Sequence, residues 1–251
     1  MSRTIATITG SYTPDDSNWE CLRDSALHNG IKIVPVGPND QCLEPGVMHV
    51  FGRGEHFPHL ETFRRLIPYV ENLEDDYILH TDAHDVIVNR WDPEEVMQAV
   101  DACPSGMLMS CNDECWPAGP WCEAYPENGT PWRTACAGQY VATKAAMLNL
   151  WREYLSGHWE QTAGGSTQEM CHRIYADANL HVKPAPFQLD TRCQIFQIMG
   201  ARSVEHVHPD WDRGATHQKM AINRLTDSIP MFLHFGGRAP GMREWFGRLY
   251  A

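Results

Sequence analysis

No uncharged run in the chain exceeds 11 residues (4–14 and 102–112), so the roughly 20 apolar residues of a transmembrane helix are missing. The opening MSRTIATITGSY has no long apolar stretch of the secretory kind and reads as a strand. Basic charge is scarce: 20 Lys and Arg against 32 Asp and Glu give a net charge of −12. That excludes a globally basic nucleic-acid binder, although not a local basic patch. There is no CxxC pair, internal repeat, low-complexity tract or long run of one charge. Nine cysteines is an odd count, and Cys111 and Cys115 lack a second pair at zinc-finger spacing. Without a secretory leader, reduced thiols and a cytoplasmic location are the expectation.

What is present suits a packed domain. Hydrophobic residues make up 43% and aromatics 10% of 251 residues, enough for a sizeable core. Residues 4–9, 31–36, 77–80, 106–110, 139–143 and 230–234 read as strands. Helical patterns cover 15–27, 58–73, 92–100, 144–155 and 167–178. Asp15, Asp16 and Ser17 are available to cap the first, and Pro93 stands at the first turn of the third. Strands separated by helices predict an α/β fold around a mostly parallel sheet. Residues 112–133, rich in Pro, Gly, Trp and Cys, read as irregular. Nothing marks a linker, so 1–251 is expected to be a single domain.

The most informative segment is Thr81-Asp82-Ala83-His84-Asp85-Val86-Ile87. An apolar strand runs into an Asp-x-x-Asp turn, and in open α/β sheets ligands bind beyond the carboxyl ends of strands. Two carboxylates three residues apart can converge on Mg²⁺ or Mn²⁺ and through it hold a diphosphate. The same spacing also makes an Asx turn or a helix cap. Trp116, Trp121 and Trp132 can stack on a sugar or an extruded base, or simply pack.

Six blocks in one order resemble the glycosyltransferase domain of the lysyl hydroxylases and related collagen-type glycosyltransferases. They are the strand at Ala6–Thr9, the Asp82-x-x-Asp85 block, Ser110 with Cys115-Trp116-Pro117, Tyr125 to Thr130, Leu189-Asp190 through Ile195-Phe196-Gln197, and His234-Phe235-Gly236-Gly237. The resemblance implies a GT-A-like (Rossmann-like) fold whose 1–110 half binds the nucleotide and whose 111–251 half handles sugar and acceptor. It implies a hexosyltransferase using a UDP-sugar, glucose or galactose. Asp82, Asp85 and His234 would hold Mn²⁺ (or Mg²⁺). Thr7, Thr9 and His84 would lie at the nucleoside, Gln168 near the sugar, and Asp190 would be a sugar contact or catalytic carboxylate. An imidazole among the ligands favours Mn²⁺ over Mg²⁺.

The departures from the family pattern sit on the sugar and acceptor side. Ala163-Gly164-Gly165-Ser166-Thr167 replaces an acidic run before Gln168. Cys136-Ala137-Gly138 stands for Asn-Ser-Gly, and Gly236 for Asn. Donor activation is therefore expected to persist while sugar or acceptor differs, and loss of the acidic run weakens the case for hydroxylysine. A hydroxymethylpyrimidine in viral DNA is one acceptor expectation, which would place the protein in a host cytoplasm. The mildly basic residues 201–251 (seven Lys and Arg, five Asp and Glu) could meet phosphates there. A protein hydroxyl is the alternative. An inactive nucleotide-sugar-binding module, a nucleotide-sugar hydrolase and a nucleotidyltransferase are the rival readings. No membrane partner is expected.

Overall fold

The β-branched stretch IATIT forms β1 (Ile5–Thr9), buried at all five positions. The computed structural model describes residues 3–9, 18–36, 44–51, 59–157, 166–181, 183–200, 202–211, 219–236 and 241–250. β1 lies between β3 (Met48–Phe51) and β4 (Tyr77–Thr81), parallel to both. β2 (Ile33–Val36) closes that side. Beyond β4 comes β7 (Thr134–Thr143), the one reversed strand, then β6 (Met107–Asn112) and β8 (Gln188–Leu189). The order is β2-β3-β1-β4-β7-β6-β8. This is the mostly parallel α/β sheet expected from the alternating elements.

Side chains alternate across that sheet. Ile5, Tyr77, Leu79, Leu108 and Val141 face α1 (Trp19–His28) and α3 (Pro93–Asp101). Ala6, Ile8, Ile78, Met109 and Tyr140 face α2 (His59–Asn72), α4 (Lys144–Tyr154) and α5 (Thr167–Leu180). Because both faces are covered, the central strands β1 and β4 are buried at every position rather than at alternate ones. Helix starts follow their caps: Asp92 accepts the Glu95 N–H ahead of Pro93, and Thr143 accepts that of Ala146. The proposed caps Asp15–Ser17 lie outside the described residues.

A smaller sheet, β5 (Val86–Val88), β12 (Phe232–His234) and β9 (Phe196–Ile198), stands beside the first. The ribbon β10 (Val207–Trp211) and β11 (Lys219–Asn223) and the last helix, α6 (Met242–Tyr250), pack onto it through Ile87, Leu233, Met242 and Trp245. Among the described residues no helix is long and apolar enough to cross a membrane.

The expectation of reduced thiols throughout is corrected at one point. Cys115 and Cys122 form a disulfide, a bond that persists in oxidising surroundings. Cys21, Cys103, Cys111, Cys136, Cys171 and Cys193 are free and buried; Cys42 lies outside the described residues. The irregular reading of 112–133 holds apart from Asn112, the last residue of β6, and a 3-10 turn at Pro120–Ala124.

Candidate active site

Three chain segments bring the acidic turn and His234 together. β4 ends at Thr81, and the next residue, Asp82, donates its N–H to the Gly138 carbonyl on β7 at 2.9 Å. After the turn, β5 pairs antiparallel with β12 so that Val86 stands opposite His234. The Phe235 N–H closes this corner on the Asp85 carbonyl at 2.8 Å. His234 Nε2 lies 3.5 Å from Asp82 Oδ2 and 3.3 Å from Asp85 Oδ2. One ligand atom from each residue lies within 4.8 Å of the others. The His234 and Asp85 side chains are 4% and 11% exposed and that of Asp82 is 49% exposed, so the cluster opens on the Asp82 side.

The charges are interdependent. Burial works against a charged His234, yet the Asp85 carboxylate and the Cys136 side chain raise its pKa well above the usual histidine range. Burial and Asp85 raise the Asp82 pKa, and His234 pulls it back. The buried His234 Nε2 meets hydrogen-bond geometry with neither carboxylate. Two carboxylates and an imidazole nitrogen converging within 4.8 Å fit a divalent cation, and the mixed oxygen and nitrogen set suits Mn²⁺.

Gly138 is what lets the cluster close. A β-carbon there would stand 2.5 Å from Asp82 Oδ2 and 2.5 Å from His234 Cε1. Around it, β7 is fixed by side chains. Cys136 Sγ lies 3.6 Å from His234 Nδ1. Gln168 on α5 accepts the Ala137 N–H at 2.7 Å and donates to the Ala135 carbonyl at 2.6 Å. His172, one turn on, touches the Gln168 amide, the Trp116 carbonyl and the Tyr125 hydroxyl at 2.9, 2.9 and 2.7 Å. Gln168 therefore ties the helix to the strand that walls the cluster.

The remaining residues fall in two groups. Thr7 and Thr9 are buried on β1, and Thr9 stands opposite Thr81, just before Asp82. Thr9 Oγ1 has no hydrogen-bond partner among the described residues. His84 sits half-buried inside the acidic turn. Asp190 is buried, and its carboxylate accepts the N–H groups of Gln194, Ile195 and Phe196 at 3.0, 2.8 and 2.9 Å. Burial raises its pKa and those three amides lower it. Its oxygens are thus occupied in shaping the loop that enters β9.

Sequence reasoning passed over Asp113. It follows β6, and its carboxylate packs flat on Gly200, where a β-carbon would be 2.4 Å from either oxygen. Gly200 lies two residues beyond Ile198, the register partner of His234. Asp113 therefore packs near the end of the strand that pairs with His234. Of the three tryptophans, Trp132 is fully buried, Trp121 packs under Arg173, and Trp116 is 66% exposed on the disulfide-closed loop.

An open sheet with a carboxylate-histidine cluster beyond its strand ends defines a GT-A-like α/β enzyme. The chain belongs to the PLOD GT domain family, the glycosyltransferase domain of the lysyl hydroxylases, which it matches over residues 3–242. It is accordingly a glycosyltransferase. A solved glycosyltransferase involved in the glycosylation of the major capsid of PBCV-1 shares the fold. Its TM-score is 0.50 and its identity 11%, over 97% of this chain and 99% of that one. Comparison with curated proteins gives no significant match.

Proposed function

We propose that the enzyme is metal-dependent and moves a hexose, glucose or galactose, from a UDP-sugar to an acceptor hydroxyl. The observation that carries this reading is the meeting of Asp82, Asp85 and His234 at one point beyond β4. Those three residues would hold the cation, Mn²⁺ before Mg²⁺. When bound, it supplies positive charge that neutralises the departing diphosphate. Asp82, on the open side, faces the donor. In this reading the nucleoside lies near Thr7 and Thr9 on β1 and His84 in the turn, with the Thr9 hydroxyl as a donor to it. Gln168 holds β7 at the sugar side. Asp190, buried and with both oxygens accepting backbone N–H groups, shapes the neighbouring loop rather than meeting the acceptor hydroxyl as a base.

In this reading residues 1–110 bind the nucleotide and 111–251 the sugar and acceptor, within one domain. Ion pairs bear on the acceptor. Arg202, Arg224 and Arg248 pair with Glu114, Asp210 and Glu244, and the chain carries a net charge of −12. Those pairs engage three of the seven basic side chains of residues 201–251, and the acidic chain as a whole opposes a phosphate backbone, so a protein hydroxyl is favoured over a hydroxymethylpyrimidine in DNA. The test is UDP release from a panel of UDP-sugars with Mn²⁺, with and without a hydroxylated peptide or hydroxymethylpyrimidine DNA. Peptide-stimulated release supports this reading. DNA-stimulated release overturns the acceptor choice, and no Mn²⁺-dependent release from any donor overturns the whole.

A further inference from the structure

We infer that Cys136 is a positioning residue for the metal site, holding His234 in the one tautomer that can bind a cation. The inference rests on the metal reading above. The geometry is direct. Cys136 Sγ lies 3.6 Å from His234 Nδ1, and both side chains are buried. On the other side of the ring, Nε2 faces Asp82 and Asp85 at 3.5 and 3.3 Å.

A neutral imidazole has one N–H and one lone pair. If Nε2 gives its lone pair to a cation, the proton must be on Nδ1. That proton then needs an acceptor in a pocket closed to water. Cys136 Sγ is the atom the structure places there, and no other hydrogen-bond partner of Nδ1 is found among the described residues. Histidines that bind metals are usually held this way by a partner on the far nitrogen, which fixes tautomer and ring orientation. Here the partner is sulfur, a weak acceptor. The ring therefore keeps its orientation while gaining less basicity than a carboxylate partner would give.

The backbone supports the contact. Cys136 lies between Ala135 and Ala137, the two residues whose carbonyl and N–H Gln168 clamps. Gly138, two residues on, lies against the neighbouring Cε1–Nε2 edge of the same ring, an added β-carbon falling 2.5 and 3.2 Å from those atoms. The segment Cys136–Gly138 thus follows one side of His234 from Nδ1 through Cε1. Its Cys and Gly act on one side chain, and a change of either should be read in the cation site before it is read in the fold.

The experiment titrates the intact protein with Mn²⁺ alone by calorimetry, comparing Cys136→Ala, Cys136→Ser and Asp85→Asn. Ala removes the acceptor without adding bulk against the ring, and Ser restores one. The expectation is a loss of Mn²⁺ affinity on the order of 10-fold or more in Cys136→Ala, with Cys136→Ser recovering most of it. Asp85→Asn should abolish binding. Parent-like Mn²⁺ affinity in a folded Cys136→Ala overturns the inference and leaves the metal reading standing. Absence of Mn²⁺ binding in the parent overturns both. A second measurement needs no substitution: ¹⁵N NMR of the parent saturated with Mg²⁺ should show the His234 proton on Nδ1. A proton on Nε2 overturns the inference.

Discussion

Gly138 and His234 touch so closely that no larger residue fits at position 138: an added β-carbon would lie 2.5 Å from His234 Cε1. The same atom would lie 2.5 Å from Asp82 Oδ2. Gly138→Ala must therefore move two of the three cluster residues. Overpacking of this kind costs about 1–3 kcal/mol, and here it falls on the metal site. We expect Gly138→Ala to lose at least an order of magnitude in Mn²⁺ affinity while still folding. Calorimetry together with a melting curve checks it, and parent-like binding would remove Gly138 from the argument.

Asp190 offers a test between two roles. Its carboxylate accepts three backbone N–H groups at the entry to β9. Asp190→Ala leaves those amides without their partner in a buried place, which costs about 2–3 kcal/mol. For a chain of this size that lowers Tm by roughly 4–10 °C. A catalytic base would show the opposite pattern, with kcat falling and Tm unchanged. Thermal melting beside steady-state kinetics separates the two.

His49 on β3 is fully buried and bonds the Tyr69 hydroxyl through Nδ1 at 2.8 Å. Burial pushes its pKa down to about 4, against an ordinary 6.5, and Glu44 opposes that shift. The folded protein therefore holds His49 neutral where the unfolded chain would protonate it. Its contribution to stability is complete above pH 6.5 and is lost as pH falls towards 4, by up to about 3 kcal/mol. Urea unfolding across that window should show a shallower pH dependence in His49→Gln than in the parent. Parallel curves would mean that His49 carries no such linkage.

The legible parts of the sequence were those with enough length to show a pattern. β4 announced itself by five apolar or buried positions running into two carboxylates, and α3 by Asp92-Pro93. β5, β9 and β12 have three residues each, too few to establish a two-residue period, although 230–234 was read as a strand. They place His234, so the cluster was reachable only through the family resemblance. β7 was read as 139–143, but it begins at Thr134. Its first half, Thr-Ala-Cys-Ala-Gly, is small and weakly β-forming, and is held in the sheet by Gln168 from α5. β10, β11 and α6 were missed. Pro209 interrupts β10 and Gly247 lies inside α6, so local preference opposed structures that packing against Ile87 and Leu233 secures. The disulfide was missed because six residues separate its cysteines, a spacing with no signature of its own.

Cation binding should be linked to pH through His234. Burial alone would favour the neutral ring, but Asp85 and Cys136 raise its pKa well above the usual range. Without a cation, that upward shift favours a protonated His234 as the positive charge beside Asp82 and Asp85. A divalent cation must displace the proton from Nε2, because a protonated nitrogen has no lone pair to give. The sign follows directly. Because the pKa is raised, the competing proton is held more tightly than on an ordinary histidine and weakens as pH climbs. Apparent Mn²⁺ affinity should therefore increase from pH 6 to pH 8, by at most about tenfold per unit for each proton released. Titrations in buffers of different ionisation enthalpy would count those protons. An affinity independent of pH with no proton release would show that His234 Nε2 is not a ligand, and would leave the two carboxylates to hold the cation by themselves.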